Sequence, residues 1–172
     1  MEINATPFND QSVNTTGCCP RFNEAGWDEQ RLHFNDKTFV RASTRSVAHV
    51  PLNMGKVFAR VLGHIDAAHA VDPEHRLVLS RDLSGVTGEH LFAVTAAVPD
   101  EEMMSLTGDF LTKVFSGPFS DVPDWYEQMQ TFAREEGHTP KTVWFYFTTC
   151  PNCAKAYGKN PVVGLVELGQ AV

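Results

Sequence analysis

Residues 121–149 read DVPDWYEQMQTFAREEGHTPKTVWFYFTT, and a change of period inside this stretch decides the fold. From Asp121 to Glu136 the apolar residues Val122, Trp125, Met129, Phe132 and Ala133 recur every three or four positions. That spacing predicts one helix with a single inward stripe. Asp121 suits the N-cap, Pro123 and Asp124 the first turn, and Gly137 with Pro140 the stop. From Thr142 to Thr149 the period drops to two, which predicts a strand. Val143, Phe145 and Phe147 then face the helix as core. Thr142, Trp144, Tyr146 and Thr148 face the other way, mixing large rings with hydroxyls as half-polar pockets do. Cover by the N-terminal residues is the plainer use of Trp144 and Tyr146.

The same order occurs upstream. Met54, Val57, Phe58, Val61, Ile65 and Ala68 predict a helix over Asn53–Ala70, with Asn53 as its N-cap. Strands are expected before it at Lys37–Val50 and after it at Arg76–Arg81 and Glu89–Val98, the last two separated by the Gly85/Gly88 turn region. Met103–Phe115 precedes the second helix and Pro161–Leu168 closes the second set. Helix starts and strands repeat at an offset of roughly 65–75 residues, the mark of a duplicated unit. The expected fold is α+β: two βαββ units, about residues 38–98 and 103–168, in one mainly antiparallel sheet. Both helices lie on one face, with a ligand cleft between the units. Residues 1–16 are polar and without period, a loose arm ahead of a single domain over 17–172.

Composition narrows the partners. A chain of 172 residues suits one domain, which buries roughly 70% of its unfolded surface without help from metal or disulfide. With 14 Lys+Arg against 21 Asp+Glu, the net charge of −7 disfavours a nucleic-acid backbone. No apolar run approaches the roughly 18 residues of a membrane span. The start, MEINATPFNDQSVNTTG, lacks a basic and apolar leader, so a cytoplasmic location is expected. The unusual feature is aromatic. Seven of the 12 Phe lie between Phe92 and Phe147; rings beyond the needs of a core can line a ligand pocket, while most simply pack.

Several chemistries drop out. There is no G-x-S-x-G elbow, no P-loop and no G-x-G-x-x-G. The histidines form no HExxH, and His64 and His69, five apart, do not share a helix face. His49, just before Pro51 and the first helix, is the one placed to reach the cleft. Cys150-Pro151-Asn152-Cys153 is a zinc-knuckle-like turn, and Cys18-Cys19 adds two more thiols. Structural zinc on Cys150 and Cys153, free thiols, or a disulfide from the arm to the Cys150 loop all remain open; no cofactor is required. Glu167 shares a strand face with Val163 and Leu165, either as a solvated strand end or as a functional acid.

Val114-Phe115-Ser116-Gly117-Pro118-Phe119-Ser120-Asp121-Val122-Pro123-Asp124-Trp125 resembles the strand–Gly-Pro-aromatic–helix junction of gyrase-inhibitor-like (GyrI-like) small-molecule-binding domains. Three blocks also resemble a narrower stand-alone bacterial set: Cys18-Cys19-Pro20-Arg21-Phe22, the Gly108–Pro118 stretch GDFLTKVFSGP, and TTCPNCAKAYGKN over Thr148–Asn160. The resemblance spans residues 18–168. It implies a tandem βαββ domain that takes bulky apolar or cationic aromatic molecules, with a role in detoxification. Some members hydrolyse the cyclopropane of DNA-alkylating toxins. Such a reaction needs a donor at the developing oxyanion, a carboxylate to activate water, and aromatic walls. The resemblance implies Tyr146 as donor and Trp144, Trp125 and Tyr157 as walls, with Phe115 and His49 beside them. The family often carries a glutamate on the strand after the second helix; Val143–Phe147 has none. The carboxylate is then Glu167 first and Glu89 second. Two other readings stand beside hydrolysis: a non-catalytic binder of drugs or modulator of a partner, and a zinc-stabilised interaction domain.

Overall fold

The structure, a computed structural model, describes residues 2–8, 22–148, 155 and 160–172. Among these, seven mostly antiparallel strands and three α-helices make an α+β fold. The helices are α1 (Glu24–Trp27), α2 (Met54–Ala67) and α3 (Val122–Glu135). The strands are β1 (Arg31–Val47), β2 (Val50–Pro51), β3 (Val78–Ser84), β4 (Thr87–Ala93), β5 (Glu102–Ser116), β6 (His138–Phe147) and β7 (Pro161–Ala171). The chain divides into two compact units, one of residues 36–106 and one of residues 1–35 with 107–172. Among the described residues no helix is long and apolar enough to cross a membrane.

In the 36–106 unit, β4 pairs antiparallel with both β1 and β3. Two tight turns set the ends. Val47 pairs with Val50 around Ala48–His49, whose φ angles of 48° and 67° are those of a type I′ hairpin. Ser84 pairs with Thr87 around Gly85–Val86. The α2 stripe of Val57, Val61 and Ile65 packs on Val40, Ala42, Phe92 and Val94, with Phe58 against the same cluster. Asn53 stands at the N-cap but does not cap with its side chain. Its Oδ1 accepts from the Arg45 N–H at 2.7 Å, tying the helix start to β1.

In the other unit, β7 is the middle strand, antiparallel to β5 and β6. The α3 face carries Trp125, Met129 and Ala133 onto Leu111, Phe115, Val143, Phe145, Val162 and Val166. The helix follows Gly117, whose φ of 153° suits glycine and where a Cβ would stand 2.9 Å from Asp121 Oδ2. It ends at Gly137, φ 82°, the left-handed residue that closes a helix. β6 starts at His138, four residues earlier than the alternation suggests, because Pro140 is accommodated at a shift of register. β1 likewise starts at Arg31, where Leu32 and Phe34 alternate inward, instead of at Lys37.

The fit of α3 on β7 depends on one missing side chain. A Cβ on Gly164 would meet Met129 Sδ at 2.7 Å and Phe115 Cε2 at 3.0 Å. Gly164→Ala is expected to cost about 1–3 kcal/mol by overpacking, read as a lower urea midpoint at unchanged slope.

Candidate functional site

Alternation gives each unit a sheet face turned away from its helix. In the unit with α3 that face holds Phe110 and Thr112 of β5, Trp144 and Tyr146 of β6, and Val163, Leu165 and Glu167 of β7. The register sets Trp144 opposite Leu165, Tyr146 opposite Val163 and Phe110 opposite Glu167. The split expected of Val143–Phe147 is present: Val143 and Phe145 are in the α3 core, and Trp144 and Tyr146 are not.

This face is covered by the chain around α1. The Thr112 hydroxyl donates to the Trp27 carbonyl, and the Thr112 N–H donates to the Gln30 carbonyl at 2.9 Å. The Val114 N–H donates to Asp28 Oδ1 at 2.9 Å. These bonds hold Trp27 so that its ring centroid lies 5.6 Å from that of Tyr146, tilted by 58°. Phe34 meets Phe110 in the same way at 5.0 Å. Trp27 is 0% exposed, and Trp144 and Tyr146 are 3% and 8% exposed. Among the described residues the buried Trp27 Nε1–H has no hydrogen-bond partner. Such an orphan donor costs about 1–3 kcal/mol against one that is paired. Sequence reasoning placed the residues around Trp27 in the domain over 17–172 and offered N-terminal cover for Trp144 and Tyr146, but singled out no residue to provide it. The only signal was apolar weight (Phe22, Trp27, Leu32, Phe34) in an otherwise irregular stretch.

The remaining candidates fall in different places. Glu167 is on the aromatic face, with its Oε1 2.9 Å from Lys141 Nζ and its side chain 18% exposed. Tyr146 is level with Val163, four residues along β7 from Glu167, so the two are about 13 Å apart along the sheet at 3.3–3.4 Å per residue. Trp125 and Phe115 belong to the other side of the sheet. They stack on each other in the α3 core at 5.4 Å and 16°, because Trp125 is on the apolar stripe of α3 and Phe115 on the sheet face that the stripe covers. His49 is at the β1–β2 turn with Nδ1 2.9 Å from Asp82 and a side chain 60% exposed. Tyr157 and all four cysteines, Cys150 and Cys153 included, lie outside the described residues. Among the described residues no group of three or more His, Cys, Asp or Glu is arranged to hold a metal.

Glu89 is a buried carboxylate of the 36–106 unit, on the face opposite α2. Arg41 Nε donates to its Oε2 at 2.6 Å and Arg81 Nε to its Oε1 at 3.0 Å, while Arg41 Nη1 reaches Glu102 at 3.3 Å. The Arg41 guanidinium is held even more firmly protonated, first by its hydrogen bond to Glu89. The pairings make the two faces comparable position by position. Arg81 pairs with Glu89 and Leu79 with Leu91, as Tyr146 pairs with Val163 and Trp144 with Leu165. One repeat has an ionic face where the other has an aromatic one.

On the α2 side, His90 is buried with Ser80 Oγ 2.7 Å from Nδ1, Thr44 Oγ1 2.9 Å from Nε2, and Phe58 edge-on at 5.0 Å. Burial pushes its pKa down to about 4. The folded-state value lies below the unfolded one, so the unfolded chain takes the proton first as pH falls. Its contribution is therefore full above about pH 6.5 and is lost toward about pH 4, a change of about 3 kcal/mol. Thermal unfolding across that range should be steeper in pH for the wild type than for His90→Gln; equal slopes would remove His90 as the cause.

With the geometry in place, comparison gives the class. The sequence matches the bacterial hydrolase family over residues 9–168, and the chain belongs to that family. No curated protein matches it. Its fold is shared with an uncharacterized conserved protein from Listeria innocua at a TM-score of 0.60 and 12% identity, covering 83% of this chain and 92% of that one. A hydrolase from Listeria innocua aligns at 0.56 and 11%, with the same coverage. SAV2435 bound to tetraphenylphosphonium aligns at 0.51 and 9%, covering 83% and 94%.

Proposed function

We propose that this chain binds bulky aromatic small molecules, cationic ones included, on the Trp144–Tyr146 face, the covering Trp27 ring turning aside to admit them, and hydrolyses those that carry an activated cyclopropane. The observation that carries the reading is that face itself, where Trp27, Trp144 and Tyr146 come together on the side of the sheet away from α3. Membership of a hydrolase family supports turnover. The shared fold with a protein bound to tetraphenylphosphonium supports a bulky cationic ligand, as does the net charge of −7. The GyrI-like resemblance of the Val114–Trp125 junction supports the same class.

The reaction balances as addition of water. The water oxygen bonds to a cyclopropane carbon, one ring C–C bond breaks, and its electron pair passes through the conjugated ring to the carbonyl oxygen. That oxygen takes a proton, and the attacking water gives one up. Tyr146 is the donor at the carbonyl oxygen, and Glu167 is the carboxylate that orients water at the far carbon. The four-residue offset along β7 places the donor and the carboxylate toward opposite ends of one face, as this division of labour requires. Lys141 Nζ, 2.9 Å from Glu167 Oε1, holds that carboxyl in place on the face. The chain's own residues suffice for these steps, so no cofactor is included.

The test is incubation with a spirocyclopropyl dienone, followed by mass spectrometry for a product heavier by one water. The wild type should form it, and Glu167→Gln should form it about 10²-fold more slowly. Full activity in Glu167→Gln removes Glu167 from the mechanism. Binding without product leaves the non-catalytic reading, favoured by one observation, the missing acid on β6.

A further inference from the structure

We infer that the Trp27 indole N–H reads a hydrogen-bond acceptor, a carbonyl foremost, on the aromatic molecule this face takes. The inference rests on the binding reading above and deepens it by naming a specificity determinant. Three observations converge on Trp27. Its backbone is held at two points, by Thr112 at its own carbonyl and by Val114 at the side chain of the next residue, Asp28. Its ring lies against Tyr146, the tyrosine of the face. Its Nε1–H is wholly buried yet has no partner among the described residues.

Among the described residues no group accepts from that donor. Phe110, Val163 and Leu165 of the same sheet face have side chains of carbon alone. The Thr112 hydroxyl is engaged with the Trp27 and Gln30 backbone, and Glu167 with Lys141. A hydrocarbon ligand would leave the N–H as it is. A carbonyl oxygen among the rings would accept from it, and in a water-excluded setting that bond separates ligands that have an acceptor from ligands that lack one. The carbonyl is also the atom that gains charge when an activated cyclopropane opens. Trp27 and Tyr146 thus supply two donors from one ring pair, as an oxyanion site requires.

A matched pair of probes tests this: benzophenone, with a carbonyl between two rings, and diphenylmethane, with the same rings and none. Affinities are measured for the wild type and for Trp27→Phe, which keeps an aromatic ring and removes the N–H. The preference for benzophenone over diphenylmethane should be about tenfold larger in the wild type. The second measurement needs only the wild type. In a ¹⁵N-labelled spectrum the Trp27 indole proton should move downfield with benzophenone and stay with diphenylmethane. It decides the matter if Trp27→Phe does not fold. Equal preference in both proteins, or an indole signal unmoved by bound benzophenone, overturns the inference while aromatic binding stands. If neither probe nor tetraphenylphosphonium binds, the binding reading itself fails.

Discussion

A Tyr146→Phe protein is expected to keep its fold and its affinity for a bulky aromatic cation, and to hydrolyse an activated cyclopropane about 10²–10⁴-fold more slowly. The substitution leaves the ring against Trp27 and removes one hydroxyl from a residue only 8% exposed. The loss should fall on kcat with little change in KM, because the donor acts on charge that appears only as the ring opens. The measurement is the rate of product formation by mass spectrometry beside a titration with tetraphenylphosphonium. A Tyr146→Phe protein with unchanged kcat would take the donor role from Tyr146. Equal losses in binding and turnover would make it a wall.

The second large effect is on stability. Glu89→Ala is expected to cost about 3 kcal/mol, the lower end for breaking a buried ion pair. The Glu89 side chain is 6% exposed and holds two guanidiniums that are 28% and 35% exposed, so the arginines left behind regain part of their solvation from water. Glu167→Ala is the contrast. Its Lys141 partner is 55% exposed, and the pair is worth no more than about 1 kcal/mol. Urea unfolding of the two variants compares them directly. A Glu89→Ala midpoint as high as that of Glu167→Ala would mean that the Arg41–Glu89–Arg81 cluster adds nothing to the fold.

Alternation in Val143–Phe147 was legible without coordinates, because a strand with one side in a core must place every second residue there. At Trp125 the helix period gave an inward position while the resemblance implied a pocket wall, two uses for one indole. Its stack on Phe115 shows that the helix stripe takes precedence, since leaving two such rings out of the core would forfeit their burial. β1 and β6 begin earlier than their patterns suggest because backbone pairing extends a strand past the residues whose side chains announce it.

The residues that complete the site were hidden for a different reason. Trp27 meets Tyr146 across 119 positions of chain, and Arg41 meets Glu89 across 48. No local period encodes such meetings; they follow from strand register and from the hydrogen bonds that seat α1. By itself the sequence determined the α+β class, the repeated order of elements, and the division of the β6 aromatics between core and opposite face. These follow from spacing along one chain, which periodic burial enforces. Only the tertiary structure decided that Trp27 lies over Tyr146, that the carboxylate beside Arg41 is neutralised twice, and that Tyr146 and Glu167 are at opposite ends of one face. Each of these depends on which strands become neighbours, and side-chain spacing carries no record of that choice.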